Sequence, residues 1–317
     1  MKIHLDTDFG GDIDDLCALA LALRWPGAEL VGVTTILEDG GVRAGYARRA
    51  LAMAGRQDVP VAAGADRALG CFRVPVEGPL VPDERVYWPE PVPPAPGPLG
   101  EALDLLAQSI AADAVIVAIG GLTNLALLER RSPGILATAQ LVVMGGYVYP
   151  PRAGYPPWGP HDDWNLQVDA PSACAVLASS APLLVPLSVT VETALRRAYL
   201  PALQRGDALA RLIARQAEAF AAEYGYEASL GRVYPGLPDD LINFQHDPLA
   251  VAVALGWRDG VSIATLPLEN EIVAGWLQQR VAATGRPTRV VTAIDGPRFN
   301  ERWLALVAGG LPAAQAR

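Results

Sequence analysis

Lysine is almost absent from this 317-residue chain, which carries it only at Lys2. Any mechanism that needs a lysine inside the fold is therefore excluded. Basic residues are also outnumbered by acidic ones, 25 to 34, for a formal net charge of −9. Because a negative chain repels phosphate backbones and anionic lipids, we expect neither nucleic acid nor a membrane as partner. The GxGxxG and GxxxxGK fingerprints of nicotinamide-binding and P-loop proteins are missing too.

Cysteine is scarce, with three widely separated residues and no CxxC pair. Such a set argues against a disulfide framework or a zinc site and fits a reducing compartment. The first residues run directly into KIHLD, with no signal-peptide pattern, and no apolar run reaches about 18 uninterrupted residues. We therefore expect a cytoplasmic protein without a membrane span.

Hydrophobic residues make up 51% of the chain, which is ample for a large core. Apolar runs of strand length alternate with periodic segments of helix length. Examples are KIHLD before DDLCALALALRW, ELVGVTT before GGVRAGYARRALAMAG, and AVIVAI before LTNLALLERR. This order predicts an α/β fold with a mostly parallel (mixed), Rossmann-like central sheet and helices on both faces. We expect residues 1–317 to form a single domain.

Three stretches interrupt this alternation: the Pro-rich residues 69–98, the Gly/Pro/aromatic residues 146–162, and the Tyr-containing residues 224–245. Long loops in a compact domain are often lids or binding loops. For residues 69–98, a variable surface excursion is an equally good interpretation.

Polar residues and glycines follow the predicted strands, in DTDFGGDIDD, TTILED, GGLTN and MGG. Ligands of open α/β sheets bind beyond the carboxyl ends of the strands, so these segments predict the site. The first holds five aspartates in ten residues. Asp14 and Asp15 open a helix, whose dipole favours carboxylates. The other acids need compensation, and an all-oxygen set without Cys or HxH suits Ca²⁺ or Mg²⁺.

Two alternatives fit this loop less well. An EF-hand counted from Asp6 would require a bidentate Glu at position twelve, where Cys17 stands. The loop also resembles the haloacid-dehalogenase phosphohydrolases, whose pattern asks for Thr or Val at Gly10 and for a downstream cation, usually Lys. An arginine would have to take that place here.

Six segments in matching order resemble the inosine–uridine-preferring nucleoside hydrolase family. DTDFGGDIDD resembles its DxDxG…DD stretch with two extra residues, and DDWNLQVDAPSA resembles its AEFNxxxDPEAA element. The other similar segments are VTTILED, VPVAAGADRAL, AIGGLTNLALL with VVMGG, and HDPLAVA. The family's HGxDGLG segment is not recognisable, and RVYWPEPVPPAPGP occupies its region. The resemblance implies hydrolysis of the N-glycosidic bond of a ribonucleoside or analogue, with Ca²⁺ as cofactor, in a homodimer or homotetramer.

The resemblance also implies roles for individual residues. The calcium ligands are expected to be Asp8, Asp15, the backbone carbonyl of Thr123, and Asp247, with Asp8 also acting as general base. His246 is expected to act as an acid or orienting group for the departing base. The expected substrate-binding residues are Asp14, Asp39, Met144, Asp163 and Asn165. Asp163 and Asp39 depart from the family's Glu and Asn, so their contacts to the sugar are expected to differ.

The nucleobase presents a π face, which aromatic residues can stack against. Trp158, Tyr224, Tyr226 and Tyr234 lie in the irregular loops and are candidates, although for each of them loop packing is the more common role. His161 is a further candidate for a substrate contact. A non-catalytic nucleoside- or sugar-binding protein that keeps the metal site stays open as an alternative.

Overall fold

The structure is a computed structural model that describes residues 1–10, 12–70 and 84–309. The strands are β1 (Lys2–Thr7), β2 (Glu29–Thr35), β3 (Val61–Ala63), β4 (Val115–Ala118), β5 (Gln140–Met144), β6 (Leu183–Val185), β7 (Leu195–Arg196), β8 (Leu241–Asn243), β9 (Ser262–Val273), β10 (Trp276–Val281) and β11 (Arg286–Ala293). The helices are α1 (Asp14–Arg24), α2 (Val42–Met53), α3 (Glu84–Tyr87), α4 (Leu99–Ala111), α5 (Thr123–Arg131), α6 (Ile135–Thr138), α7 (Trp164–Gln167), α8 (Ala170–Ser179), α9 (Leu187–Thr190), α10 (Leu200–Arg205), α11 (Ala208–Tyr224), α12 (His246–Ala254) and α13 (Gly296–Ala308).

Nine strands form one mixed sheet in the order β10-β9-β11-β6-β5-β4-β1-β2-β3. Strands β3, β2, β1, β4, β5 and β6 are neighbours in this order and pair in parallel. β11 pairs with β6 and extends the parallel part of the sheet. β9 and β10 then add an antiparallel hairpin at one edge. The predicted mostly parallel, mixed sheet is therefore confirmed, whereas the hairpin was not foreseen.

The central strands carry apolar residues on both faces, as a sheet covered by two helical layers requires. In β4, Val115 and Val117 belong to the core that contains α1 and α12. Ile116 and Ala118 of the same strand belong to the core that contains α4, α5 and α8. This alternation explains why the strand reads as a continuous apolar run in the sequence.

The three predicted irregular stretches are not all devoid of structure. A 3₁₀ turn covers Pro160–Asp162, a helical turn covers Glu227–Gly231, and β8 ends the third stretch, where it pairs with β7. In the first stretch, α3 follows residues 71–83, which lie outside the described residues. Every described helix is too short or too polar to span a bilayer.

His4 is a core histidine rather than a site residue. Its Nδ1 and Nε2 lie 2.8 Å from Ser109 Oγ and 2.9 Å from Thr34 Oγ1. Burial lowers the pKa of His4 to about 3, so the ring is neutral at physiological pH.

An ion pair between a buried arginine and a partly exposed aspartate ties the carboxyl end of α1 to α11. Arg24 is only 1% exposed, and its guanidinium donates to both oxygens of Asp207 at 2.6 Å. Asp207 also accepts a hydrogen bond from the backbone N–H of Ala210 at the start of α11. One carboxylate therefore serves both as counter-ion and as helix cap.

We predict that Asp207→Ala lowers the free energy of unfolding by about 3 kcal/mol, because it leaves Arg24 unpaired and removes the cap. Asp207→Asn keeps a capping oxygen and should lose less. Urea denaturation measures both. As a control, Asp58→Ala removes the partner of Arg56 on the surface and should cost under about 1 kcal/mol. Equal losses for the two alanine variants would contradict this role of Arg24.

Candidate active site

The strand order reverses between β1 and β4, which are neighbours in the sheet although β2 and β3 separate them in the chain. Such a switch point is where open α/β sheets bind ligands. A cleft of about 490 Å³ opens there. Its lining brings together eight of the predicted site residues: Asp8, Asp14, Asp15, Met144, Asp163, Asn165, His246 and Asp247.

Three carboxylates form a compact group at the bottom of the cleft. Asp14 and Asp15 occupy the first turn of α1, and Asp247 occupies the first turn of α12. The two helices pack against each other, so both positive dipole ends meet at this point. One oxygen from each carboxylate lies within 4.8 Å of the others. Three buried carboxylates at this spacing are a donor set for a hard divalent cation.

Burial and mutual repulsion act on this group together. Burial first, then the neighbouring negative charges, raise the pKa values of Asp14, Asp15 and Asp247 well above the usual range. The Thr7 hydroxyl donates to Asp15 Oδ1 and opposes the effect on that residue. A cation among the three would reverse the balance, because it favours the ionised form of each ligand.

Asp8 follows β1 and is 9% exposed. Its Oδ2 accepts a hydrogen bond from Trp164 Nε1 at 2.9 Å, and its backbone carbonyl accepts one from Arg43. Burial raises the pKa of Asp8, whereas the Arg43 charge and the Trp164 bond oppose the rise. A Cβ at Gly120 would lie 2.9 Å from Asp8 Oδ1, so only glycine fits beside this carboxylate at the end of β4.

Arg43 is a cleft residue that the sequence analysis missed. It lies in α2, is 1% exposed, and donates from Nε to the backbone carbonyl of Leu37 at 2.8 Å. Glu38 is buried beside it and accepts from the first N–H groups of α2. Asp39 is exposed and is not among the residues that line the cleft. The structure therefore does not bring Asp39 to the expected sugar site, because the chain turns outward after Glu38.

Thr123 also lies away from its expected position. It is fully buried at the start of α5, and its hydroxyl donates to Asp169 Oδ2 at 2.6 Å. The residue that lines the cleft at the end of β4 is Ile119, four positions earlier. The GGLTN motif indicated the right strand end. The helix was predicted from LTNLALLERR, but the sequence did not show which residue before it would line the cleft.

Asp163 and Asn165 reach the cleft from either side of Trp164. Asp163 accepts a hydrogen bond from the N–H of Gly146 at 2.6 Å and caps α7 by accepting one from the N–H of Leu166. Each of its two carboxylate oxygens therefore already accepts a backbone hydrogen bond. Burial raises the pKa of Asp163 to about 6. Asn165 donates from Nδ2 to the Met144 carbonyl at 3.1 Å, which leaves its amide oxygen as an acceptor.

His246 opens α12 directly before Asp247. Its Nδ1 lies 2.7 Å from Thr190 Oγ1, and its ring stacks on Phe244 with centroids 5.2 Å apart. Burial lowers the pKa of His246 to about 3. The ring is therefore neutral at physiological pH, which suits the expected orienting role better than the expected acid role.

Aromatic residues from two of the irregular stretches cover the cleft. Trp158, Tyr224 and Tyr226 line it together with Phe220 from α11, whereas Tyr234 is not among the lining residues. Trp158 lies edge-on to Phe244, with ring centroids 5.1 Å apart. His161 is exposed and lies against Trp276, with centroids 4.3 Å apart. Neither His161 nor Tyr234 is brought to the cleft.

The profile of the family described as inosine-uridine preferring nucleoside hydrolase matches residues 3–301. The chain belongs to this family. Its metal dependence agrees with the three-carboxylate group, which could bind a metal ion.

Two relatives are similar to this chain in sequence. A pyrimidine-specific ribonucleoside hydrolase, RihA, from Salmonella paratyphi A is 28% identical over 269 residues, which cover 80% of this chain and 78% of that protein. An uncharacterized Schizosaccharomyces pombe protein is 33% identical over 200 residues, 60% of this chain and 62% of its own length.

Solved structures share the fold across nearly the whole chain. A plant nucleoside hydrolase, PpNRh1, superposes with a TM-score of 0.78 at 20% identity, covering 97% of this chain and 98% of that one. A purine-preferring ribonucleoside hydrolase from Gardnerella vaginalis gives 0.75 at 21% identity, covering 98% of each chain. These relatives thus differ in the bases that their names give: RihA is called pyrimidine-specific, and the Gardnerella vaginalis enzyme is called purine-preferring.

We predict that Ca²⁺ stabilises the metal-free protein, by about 2.7 kcal/mol when the free ion is at one hundred times its Kd. The raised pKa values of Asp14, Asp15 and Asp247 mean that the metal-free fold loses stability as pH rises through them. The gain from Ca²⁺ should therefore be larger at about pH 7.5 than at about pH 5, where protons compete for the same oxygens. Thermal melts in chelator and in Ca²⁺ measure this gain.

Asp247→Asn is the informative variant in the same melts. It should melt higher than the unmodified protein in chelator, because one buried charge is gone, and it should gain little from Ca²⁺. Asp39→Asn changes an exposed carboxylate outside the cleft lining and should respond as the unmodified protein does. If Asp247→Asn keeps the full Ca²⁺ response, the three-carboxylate group is not the metal site.

Proposed function

We propose that this chain hydrolyses the N-glycosidic bond of a ribonucleoside, or a close analogue, to ribose and free base, and that Asp8 is the general base. The observation that carries the proposal is the position of Asp8. Its carboxylate is held by Trp164 at the switch point of the sheet, in the same cleft as the Asp14, Asp15 and Asp247 group.

The resident ion is proposed to be Ca²⁺. An all-oxygen donor set without a thiolate suits Ca²⁺ or Mg²⁺, and the family resemblance implies Ca²⁺. Following the family resemblance, we assign Asp8, Asp15 and Asp247 as its side-chain ligands. Asp15 and Asp247 belong to the three-carboxylate group, and Asp8 lines the same cleft. A backbone carbonyl at the end of β4 would complete the set, and we assign Ile119 rather than Thr123 because Ile119 lines the cleft. When bound, the ion would lower the pKa of water and anchor ribose hydroxyls.

The reaction passes through a transition state that resembles an oxocarbenium ion, so positive charge develops on the ribose ring. Asp8 takes a proton from the attacking water. Asp14, the third member of the three-carboxylate group, is proposed to accept a hydrogen bond from a ribose hydroxyl. Nearby carboxylates also stabilise the developing positive charge.

The remaining sugar contacts come from the segment around Trp164. The amide oxygen of Asn165 is proposed to accept a hydrogen bond from a sugar hydroxyl, and Met144 is proposed to pack against the ribose ring. Asp163 holds Gly146 and α7 in place. A hydrogen bond between Asp163 and the sugar would therefore use an oxygen that already accepts a hydrogen bond from a backbone N–H group.

The departing base would lie among the aromatic residues of the cleft. Phe220, Tyr224, Tyr226 and Trp158 present π faces that tolerate different bases. His246, held at Nδ1 by Thr190, is proposed to orient the base through its other ring nitrogen. Purine, pyrimidine and modified nucleosides all fit this description.

The phosphohydrolase alternative is not favoured by the family match or by the cleft. The buried Arg43 could supply the cation that phosphate needs, but its guanidinium donates to the carbonyls of Leu37, Asp8 and Phe9. We retain from the sequence the proposals of a homodimer or homotetramer and of a cytoplasmic location. Sedimentation velocity of the intact chain would distinguish the two oligomers.

We predict that Asp8→Asn lowers ribose release by about a thousandfold, since general-base catalysis contributes about 10² to 10⁴. The measurement is a reducing-sugar assay with inosine, guanosine, uridine and cytidine in the presence of Ca²⁺. A generic phosphate ester is assayed in parallel.

Asp58→Asn, on the exposed Arg56 pair, is the matched control and should leave turnover unchanged. Full activity of Asp8→Asn would overturn its assignment as base. Phosphate release without ribose release by the unmodified protein would favour the phosphohydrolase. Nucleoside binding without any ribose release, with affinity intact in Asp8→Asn, would favour the non-catalytic binding protein.

A further inference from the structure

Trp164 makes a side-chain hydrogen bond to the proposed base. Its indole Nε1 donates to Asp8 Oδ2 at 2.9 Å. The indole is half-buried, lines the cleft, and packs against the small core cluster that contains Ile36, Leu37 and Val168. Because this packing holds the ring, the N–H is a fixed donor rather than a mobile one.

Asp8 is proposed to hold the ion as well as to act as base, so it matters which of its two oxygens faces the reaction. The terminal torsion of an aspartate is broad and roughly two-fold, so either oxygen can turn toward the ion and the reacting water unless something distinguishes them. Here Trp164 engages Oδ2, while Oδ1 lies beside Gly120 at the end of β4. Arg43 also donates to the backbone carbonyl of Asp8, which holds the main chain at this point.

We propose that Trp164 is a positioning residue for the hydrolysis, whose indole N–H turns Asp8 so that Oδ1 accepts the proton of the attacking water. This inference rests on the proposed function of Asp8. Removing the N–H frees Oδ2, so Asp8 adopts the productive orientation less often while substrate contacts persist. The expected effect is a drop in kcat of about tenfold or more with little change in KM.

The test is Trp164→Phe, which deletes the donor and keeps an aromatic ring in the cleft. Trp25→Phe makes the same chemical change outside the cleft lining and is the matched control. We expect kcat to fall in Trp164→Phe alone, with Ca²⁺ affinity by calorimetry and the melting temperature close to those of Trp25→Phe. Equal kcat values for the two variants, in an enzyme that releases ribose, would overturn the inference.

A double-mutant cycle separates positioning from general damage. In the Asp8→Asn background, Trp164→Phe should lower the residual rate no further, because its effect acts only through the Asp8 carboxylate. An equal loss in both backgrounds would contradict the inference. Should Trp164→Phe not fold, Trp164→Leu also lacks the N–H and is judged by the same comparisons. If the unmodified protein releases no ribose, the proposed function fails instead.

Discussion

Electrostatic repulsion among buried carboxylates is the constraint on which the rest of this site depends. Asp14, Asp15 and Asp247 lie within reach of a single ion, and Asp8 lies in the same cleft. The pKa values of all four are raised, with burial as the first cause. Hydrogen bonds from Thr7 and the dipoles of two helices offset only part of this cost, so the arrangement is consistent with a bound cation.

The fold produces this concentration of charge through its topology. The strand order reverses between β1 and β4, and α1 and α12 begin at the same edge of the sheet. Residues from both ends of the sequence thereby meet at one point. The aromatic side chains of α11 and of the irregular stretches lie at the same edge, so a pocket rich in aromatic rings adjoins the three-carboxylate group.

Much of the fold and part of the site could be predicted from the sequence. The spacing of apolar residues and the length of the apolar runs indicate strands and helices, and the run of acidic residues indicates the site. The alternation of apolar runs and periodic segments predicted the parallel part of the sheet, and the acidic loop predicted the group at Asp14 and Asp15. Asp247 was found only through the family resemblance. The β9–β10 hairpin was missed, since its residues are largely exposed and its strands lack a continuous apolar run.

The failures concern where individual side chains point. Asp39 and Thr123 stand in the right motifs, but the backbone carries one to the surface and the other into the start of a helix. Arg43 and Trp164 were overlooked because their partners are set by tertiary contacts: backbone carbonyls for Arg43 and a carboxylate from another element for Trp164. The Trp in DDWN, where the family element that it resembles has Phe, was the one hint of this contact in the sequence.

The central claim is that the acidic group at the switch point is completed by one divalent cation. Calorimetric titration of Ca²⁺ into the metal-free protein at about pH 6, in buffers of different ionisation enthalpy, tests it most directly. Because the carboxylate pKa values are raised without metal, binding must displace protons. We predict one ion per chain and a net release of protons on binding. Binding without proton release, or no binding, would contradict the account.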